Sequence, residues 1–154
     1  IAFIGDGNNV ATSLALGAAI VGAHFTIASP KGYELEEEVW HRVEEYASLN
    51  GCHVASTTDA SAAARGADVI YTDVWTSMGQ EAEAEQRRRD FAQYQVNTEL
   101  LSLSKKDALF MHPLPAHHGE EIQEGILDHS QSVVFDQAEN RLHIQKALLL
   151  HLMG

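Results

Sequence analysis

Two hydrophobic periods alternate along the chain. Short continuous apolar runs predict strands at Ile1–Gly5, His24–Ser29, Cys52–Ser56, Asp68–Thr72, Ala108–Met111 and Ser132–Phe135. Helical patterns fall between them, over Asn9–Gly22, Glu34–Asn50, Glu81–Gln95, Thr98–Leu103 and Ala138–Met153. The second of these places Leu35, Val39, Val43, Tyr46 and Leu49 on one face, with Gly51 as its C-cap. A short Ala-rich helix capped by Thr58 or Asp59 ends near Gly66, and Glu120–Leu127 reads as a weak helix or turn. Strands that alternate with helices imply parallel pairing through right-handed crossovers. The expected fold is α/β: a Rossmann-like, doubly wound, open parallel sheet with helices on both faces, forming one domain over residues 1–154. Ligands of such sheets bind at the carboxyl ends of the strands, where the strand order switches.

Composition narrows the partners. Ten basic residues against 22 acidic ones leave a formal net charge of −12, which argues against nucleic acid or an anionic membrane as a partner. Apolar runs fall short of the ~20 residues that a membrane helix needs. Cys52 is the single cysteine, so the chain forms no internal disulfide, and the cytoplasm is the expected compartment. The sequence starts inside an apparent strand and reads as a piece of a longer polypeptide.

The first strand runs into Gly5-Asp6-Gly7-Asn8-Asn9 and then a helix, the layout of a nucleotide-binding turn. Three features argue against a dinucleotide. The third glycine of the G-x-G-x-x-G pattern is replaced by Val10. The second strand ends in Ser29-Pro30, with no acid for a ribose. Asp6 would set a negative charge beside a pyrophosphate. The helix N-terminus still attracts a smaller anion such as a carboxylate, and Asn9 adds an amide donor there. Equally, Asn8 or Asn9 serves only as the helix cap; spacing leaves both readings open.

Two further strand ends carry chemistry. After the fourth strand, Asp73 offers an acceptor for an ammonium group and Ser77 a hydroxyl. Gly79 permits a tight turn that presents N–H groups to a carboxylate. With Asn9 this set suits the zwitterion of an amino acid. After the fifth strand, His112-Pro113-Leu114-Pro115 forms a stiff segment whose carbonyls can accept from an –NH₂ group. The Leu114–Pro115 bond is a candidate cis peptide, and His112 can donate a hydrogen bond near neutral pH. A metal reading would use His117, His118 and Glu121, but adjacent histidines lack the spacing of zinc ligands. No metal and no cofactor is expected. Arg141, near the start of the last helix, offers a guanidinium that can fork onto a phosphate or a carbonyl oxygen; the alternative is a surface ion pair with Glu139.

The stretches IGDGNNV, SPKGYE, TDVWTSMGQE, MHPLPAHHGEEI and VFDQAENRLHIQKALL occur in one order across nearly the whole chain. Together they resemble the carboxyl-terminal, ornithine-binding domain of the ornithine carbamoyltransferase family, and SMG is the feature that separates the ornithine branch from the aspartate branch. The resemblance implies transfer of a carbamoyl group from carbamoyl phosphate to the δ-amine of L-ornithine, giving L-citrulline and phosphate. Asn9 and the Met78 N–H would face the ornithine carboxylate, and Asp73 and Ser77 its α-amino group. His112, the carbonyls of Pro113 and Leu114, and Arg141 would hold the carbamoyl group. Asp73, His112 and Arg141 form the implied catalytic set. The family further implies a homotrimer or higher assembly, a role in arginine biosynthesis and an amino-terminal domain that binds carbamoyl phosphate.

The sequence departs from this pattern in two places. The family carries His-Cys-Leu-Pro where this chain has His112-Pro113-Leu114-Pro115, the form common in aspartate carbamoyltransferases. That puts the acceptor in question among ornithine, aspartate, putrescine and an acylated ornithine. The family's Ser-Thr-Arg-Thr phosphate motif, which belongs to the amino-terminal domain, is missing, so the 154-residue chain alone is expected to be inactive. A nucleotide-binding module on the same sheet and a catalytically silent homologue are the remaining alternatives.

Overall fold

A computed structural model describes residues 1–154. Five strands form one sheet: β1 (Ala2–Ile4), β2 (Phe25–Ala28), β3 (Val54–Thr57), β4 (Val69–Thr72) and β5 (Leu109–Met111). All pairs are parallel, in the order β3-β2-β1-β4-β5. The chain winds outward from β1 to β3, then crosses back to β4 on the other side. The order therefore switches between β1 and β4, and the loops leaving these two strands open into a shared crevice.

Side-chain alternation along the strands divides the interior into two layers. Phe3, Phe25, Ile27 and Tyr71 face one side, where they meet α1 (Asn9–Ile20) and α2 (Glu37–Asn50). Ala2, Ile4, Ala28, Ile70 and Phe110 face the other. There they pack on α3 (Ala60–Ala64), α5 (Thr98–Ser102) and the aromatic group Trp75, Phe91 and Tyr94. The sheet-facing positions of α1 are alanines (Ala11, Ala15, Ala18, Ala19), all buried. Small side chains let that helix lie close to the sheet and hold its N-terminus at the β1 strand tip.

Gly7 shows what the second glycine of the loop is for. Its N–H donates to the Tyr33 carbonyl at 2.8 Å. A Cβ built at this position would lie 2.4 Å from the carbonyl carbon of Glu34. The close backbone approach that a dinucleotide site reserves for a pyrophosphate is filled here by the chain itself.

Several expected boundaries moved. Helix α2 begins at Glu37, because the Glu34 carboxylate turns back to accept from the Gly32 N–H at 2.7 Å. The charged segment expected over Glu81–Gln95 is a 3₁₀ turn (Glu81–Glu83) followed by α4 (Ala84–Asp90). Phe91 and Tyr94 leave the helix to enter the core, which ends it. The sixth strand is not formed. Ser132 makes one parallel bridge to Phe110, and α6 (Val134–Met153) starts four residues earlier than expected. Val133 and Val134 carry a strand-like pattern, but Val133 spends its N–H on Phe110 and the chain then turns into the helix, with Val134 buried at its start.

Gly51 does close α2 in the left-handed conformation, and Asp59 caps α3 by accepting from the Ala62 N–H. No helix is long and apolar enough to cross a membrane.

Candidate functional site

The loops after β1, β4 and β5 and the first turns of α6 surround one cleft of about 730 Å³. Its wall includes Asn9, Asp73, Ser77, Met78, Pro113, Leu114 and Arg141, seven of the eight residues expected to contact substrate. His112 is not among them.

At the β1 tip the two asparagines divide the roles that the sequence left open. Asn8 is the cap: its Oδ1 accepts from the N–H groups of Val10 and Ala11, at 3.0 and 3.1 Å. Its Nδ2 donates to Asp73 Oδ2 at 2.9 Å. Asn8 thus fixes both the helix terminus and the rotamer of Asp73 across the β1–β4 switch. Asn9 is exposed and its amide has no protein partner, so it is free to meet a ligand. Asp73 is buried, with Oδ1 carrying no protein hydrogen bond. One of its oxygens is held and the other is available.

Asp6 is turned away from this cleft. Its Oδ2 accepts from Arg87 Nη1 at 2.8 Å, and the same nitrogen donates to the Trp75 carbonyl at 2.9 Å. The Arg87 guanidinium also lies 5.0 Å from the centroid of Tyr33 and pairs with Glu83. Burial pushes the Asp6 carboxyl above its ordinary range, against the opposing pull of Arg87. The acid in the glycine loop therefore anchors the stem of the β4 loop through Arg87.

Ser77 and Gln80 close the β4 loop reciprocally: the Ser77 N–H donates to Gln80 Oε1 at 3.1 Å, and the Gln80 N–H to the Ser77 carbonyl at 3.0 Å. The Ser77 hydroxyl and the Met78 N–H carry no partner. Met78 itself is 98% exposed and packs on nothing within this chain. Gly79 takes φ +90°, as expected for a tight turn. Its N–H, however, is already occupied by Glu81 Oε1 at 2.9 Å, a bond that holds the Glu81 carboxyl below its ordinary range. The donors left for a ligand are those of Asn9, Ser77 and Met78.

The loop after β5 is built around His112. This residue is fully buried. Its Nδ1 accepts from the Leu114 N–H at 2.9 Å, so Nε2 carries the proton of the neutral ring. Nε2 lies 3.3 Å from Glu121 Oε1, itself fully buried. Nδ1 is committed to the loop, whereas Nε2 is buried beside Glu121 without a hydrogen-bond partner. His112 does not line the cleft, so the expectation that it faces the carbamoyl group directly gives way within this chain: it shapes the segment that does. Leu114, held by His112, has φ +54°, the only positive value outside glycine. An L-residue enters that region at a cost and needs such external support. The Leu114–Pro115 peptide is cis, as the sequence suggested.

Arg141 reaches the cleft from α6, exposed and without any hydrogen bond or ion pair in the chain. The alternative partner, Glu139, pairs instead with His143 at 3.4 Å. Ligand atoms of His117, Glu120 and Glu121 gather within 4.8 Å of one another, whereas His118 turns toward Glu124. Glu120 is already paired with Arg88 at 2.9 Å, and Glu121 Oε1 accepts from the His117 N–H at 2.6 Å.

These groups give one cleft wall a carboxylate, a free amide, a hydroxyl, an N–H group, a guanidinium and a proline-flanked segment. Residues 1–152 match the Asp/Orn binding domain of aspartate/ornithine carbamoyltransferase. The chain belongs to the aspartate/ornithine carbamoyltransferase family. Across all 154 residues it is 53% identical to an ornithine carbamoyltransferase of Oceanobacillus iheyensis, covering 48% of that protein. The ornithine carbamoyltransferase structure from Pyrococcus furiosus superposes with a TM-score of 0.91 at 51% identity, over 96% of this chain and 47% of that one. An acetylornithine transcarbamylase complexed with acetylcitrulline has the same fold, with a TM-score of 0.85 at 25% identity, over 99% of this chain and 48% of that one. The chain spans about half the length of these carbamoyltransferase relatives.

Sequence reasoning gave Asn8 a capping role only, considered Glu121 only as a metal ligand, and assigned no role to Arg87 or Gln137. The spacing signal for a helix cap was present, but the long-range partners of these side chains lie 65 residues away for Asn8 and 81 for Arg87, beyond the reach of any local pattern.

Proposed function

We propose that this domain binds L-ornithine and completes the active site of a carbamoyltransferase that makes L-citrulline and phosphate from ornithine and carbamoyl phosphate. One observation carries the reading: Asn9, Asp73, Ser77 and Met78 line the same cleft as Pro113, Leu114 and Arg141. The family and the names of its relatives support it.

The α-ammonium of ornithine meets the free oxygen of Asp73 and the Ser77 hydroxyl. Its carboxylate meets the Asn9 amide and the Met78 N–H. The side chain then extends toward Pro113 and Arg141. The neutral δ-amine attacks the carbamoyl carbon, a C–N bond forms, the C–O bond to phosphate breaks, and the departing phosphate takes the amine proton. Arg141 offers its charge to the carbonyl oxygen as negative charge builds there. The carbonyls of Pro113 and Leu114 accept from the carbamoyl –NH₂. No protein nucleophile is needed, and alignment of the two substrates supplies much of the rate.

The exposed apolar side chains of α6, including Leu142, Ile144, Leu148, Leu149 and Leu152, are proposed to pack on the amino-terminal domain that brings carbamoyl phosphate. Pro113 in the cleft wall favours a second reading, in which another amine is the acceptor. Citrulline formation by the complete protein, assayed beside aspartate, putrescine and acetylornithine at equal concentration, separates the two. Ornithine is expected to exceed each rival by at least about 100-fold in kcat/KM, since unpaired polar groups penalise the wrong acceptor. The 154-residue chain alone is expected to give no turnover.

Asn8→Asp isolates the orienting role of Asn8. The cap survives, because aspartate accepts the same N–H groups. The donor that faced Asp73 becomes an oxygen, placing two carboxylates in contact. The KM for ornithine is expected to rise by at least about 10-fold, from the loss of a charge-assisted bond, while the unfolding midpoint moves by only a few degrees. Steady-state kinetics and thermal unfolding of the same preparation check it.

A further inference from the structure

We infer that Gln137 is the positioning residue that aims Arg141 at the cleft. This rests on the reading of Arg141 given above but concerns a residue outside the substrate-binding set. Gln137 Oε1 accepts from the His112 N–H at 3.0 Å, and Gln137 Nε2 donates to the Tyr71 hydroxyl at 2.8 Å. The amide orientation is not arbitrary. A backbone N–H can only donate, so the oxygen must face His112 and the nitrogen must face Tyr71. One side chain on α6 thereby ties together the end of β4 and the first residue of the loop after β5.

The rest of α6 has no comparable hold. Val134 is buried at its start and Gln137 is half-buried, but every other residue from Phe135 to Gly154 is exposed. Arg141 has no partner of its own. Gln137 and Arg141 are four residues apart and share a helix face. With Pro113 and Tyr71 they also line one small cavity of about 520 Å³ beside the main cleft. Within this chain, the direction of the Arg141 stem is set by Val134 packing, by the bond from the Val133 N–H to Phe110 at the helix start, and by the two bonds of Gln137. Only the last of these reaches the loop that carries the Pro113 and Leu114 carbonyls, through His112. The guanidinium and those carbonyls must hold the same small group, so a link between their supports fixes the distance that matters for the reaction.

The experiment is a double-mutant cycle in the complete protein. Gln137→Met keeps the length of the side chain and removes both bonds. It is expected to lower kcat for citrulline formation by at least 10-fold, with the KM for ornithine changing less than 3-fold. In an Arg141→Ala background the same change is expected to lower kcat by less than 2-fold, because its effect runs through Arg141. An equal loss in both backgrounds, or an unchanged kcat with Arg141 present, overturns the inference. Amide hydrogen exchange supplies a readout that does not depend on turnover. Gln137→Met is expected to speed exchange at His112 and across 137–141 by at least 10-fold, leaving α1 unchanged. Unchanged exchange there overturns the inference even if the parent protein makes no citrulline; absent turnover with faster exchange refutes the ornithine reading and keeps the tether.

Discussion

Arg141→Met in the complete protein is expected to lower kcat for citrulline formation by about 10²–10³-fold, the loss typical of removing one preorganised donor from a developing oxyanion. The guanidinium lines the cleft without a partner, so no internal ion pair competes with the substrate for it. It shares the cleft wall with Pro113 and Leu114, whose carbonyls are proposed to accept from the carbamoyl –NH₂ group. Methionine retains most of the stem and removes the charge. Because Arg141 is exposed and unbonded, folding stability should change by less than about 0.5 kcal/mol, as for other surface substitutions. The KM for ornithine should move little, since the zwitterion is proposed to bind Asp73, Ser77, Met78 and Asn9 rather than Arg141. Single-turnover measurements with both substrates saturating test the chemical step directly. A variant with wild-type kcat would remove Arg141 from the mechanism.

Asp73→Asn is expected to cost more in acceptor binding. Truncating one partner of a desolvated charge pair costs about 2–5 kcal/mol, which corresponds to a loss of about 30-fold to several thousand-fold in kcat/KM. The structure makes the substitution harsher than a simple loss of charge. Asn8 donates to Asp73 Oδ2, so the amide oxygen of the substituted side chain would be drawn toward Asn8. Its –NH₂ group would then face the cleft, where the ornithine ammonium must bind. A donor would meet a donor. The bond to Asn8 is retained, so the unfolding midpoint should stay within a few degrees of the parent. The pair of measurements separates a binding defect from a folding defect. Unchanged kcat/KM for ornithine would point to another acceptor or to a catalytically silent protein.

Both predictions use residues that the sequence already singled out, and the reason is local. Strand tips at a switch point are where this fold presents ligand groups. Gly5-Asp6-Gly7-Asn8-Asn9, the SMG turn and the His-Pro-Leu-Pro segment each declare themselves by residue type within a few positions. The strands were equally legible from their apolar runs, except for Ser132–Phe135. There the same β-branched pattern was compatible with a buried helix start, and the bond from the Gln137 N–H to the Val133 carbonyl marks the helix that forms.

His112 marks the limit of this reasoning. Its residue type suggested proton chemistry facing the substrate, but Nδ1 is taken by Leu114 and Nε2 is buried against Glu121, outside the cleft wall. Nothing in the spacing of the motif announces that Glu121 returns beneath it. Asp6 tells the same story, since its place in a phosphate-binding layout hides a partner in α4.

The sequence by itself determined the alternation of strands and helices, the α/β class and the identity of the groups at the three strand tips. These follow from side-chain periodicity and backbone preference, which act over a few residues. The tertiary structure alone decided which of those groups are free. Asn9, Ser77 and Arg141 face the cleft unpartnered, while Asn8, Asp6, His112 and Gln137 are consumed in bracing it. A donor or acceptor can serve a ligand only when no nearer partner satisfies it, and those partners are brought close by the folding of distant segments, not by their order along the chain.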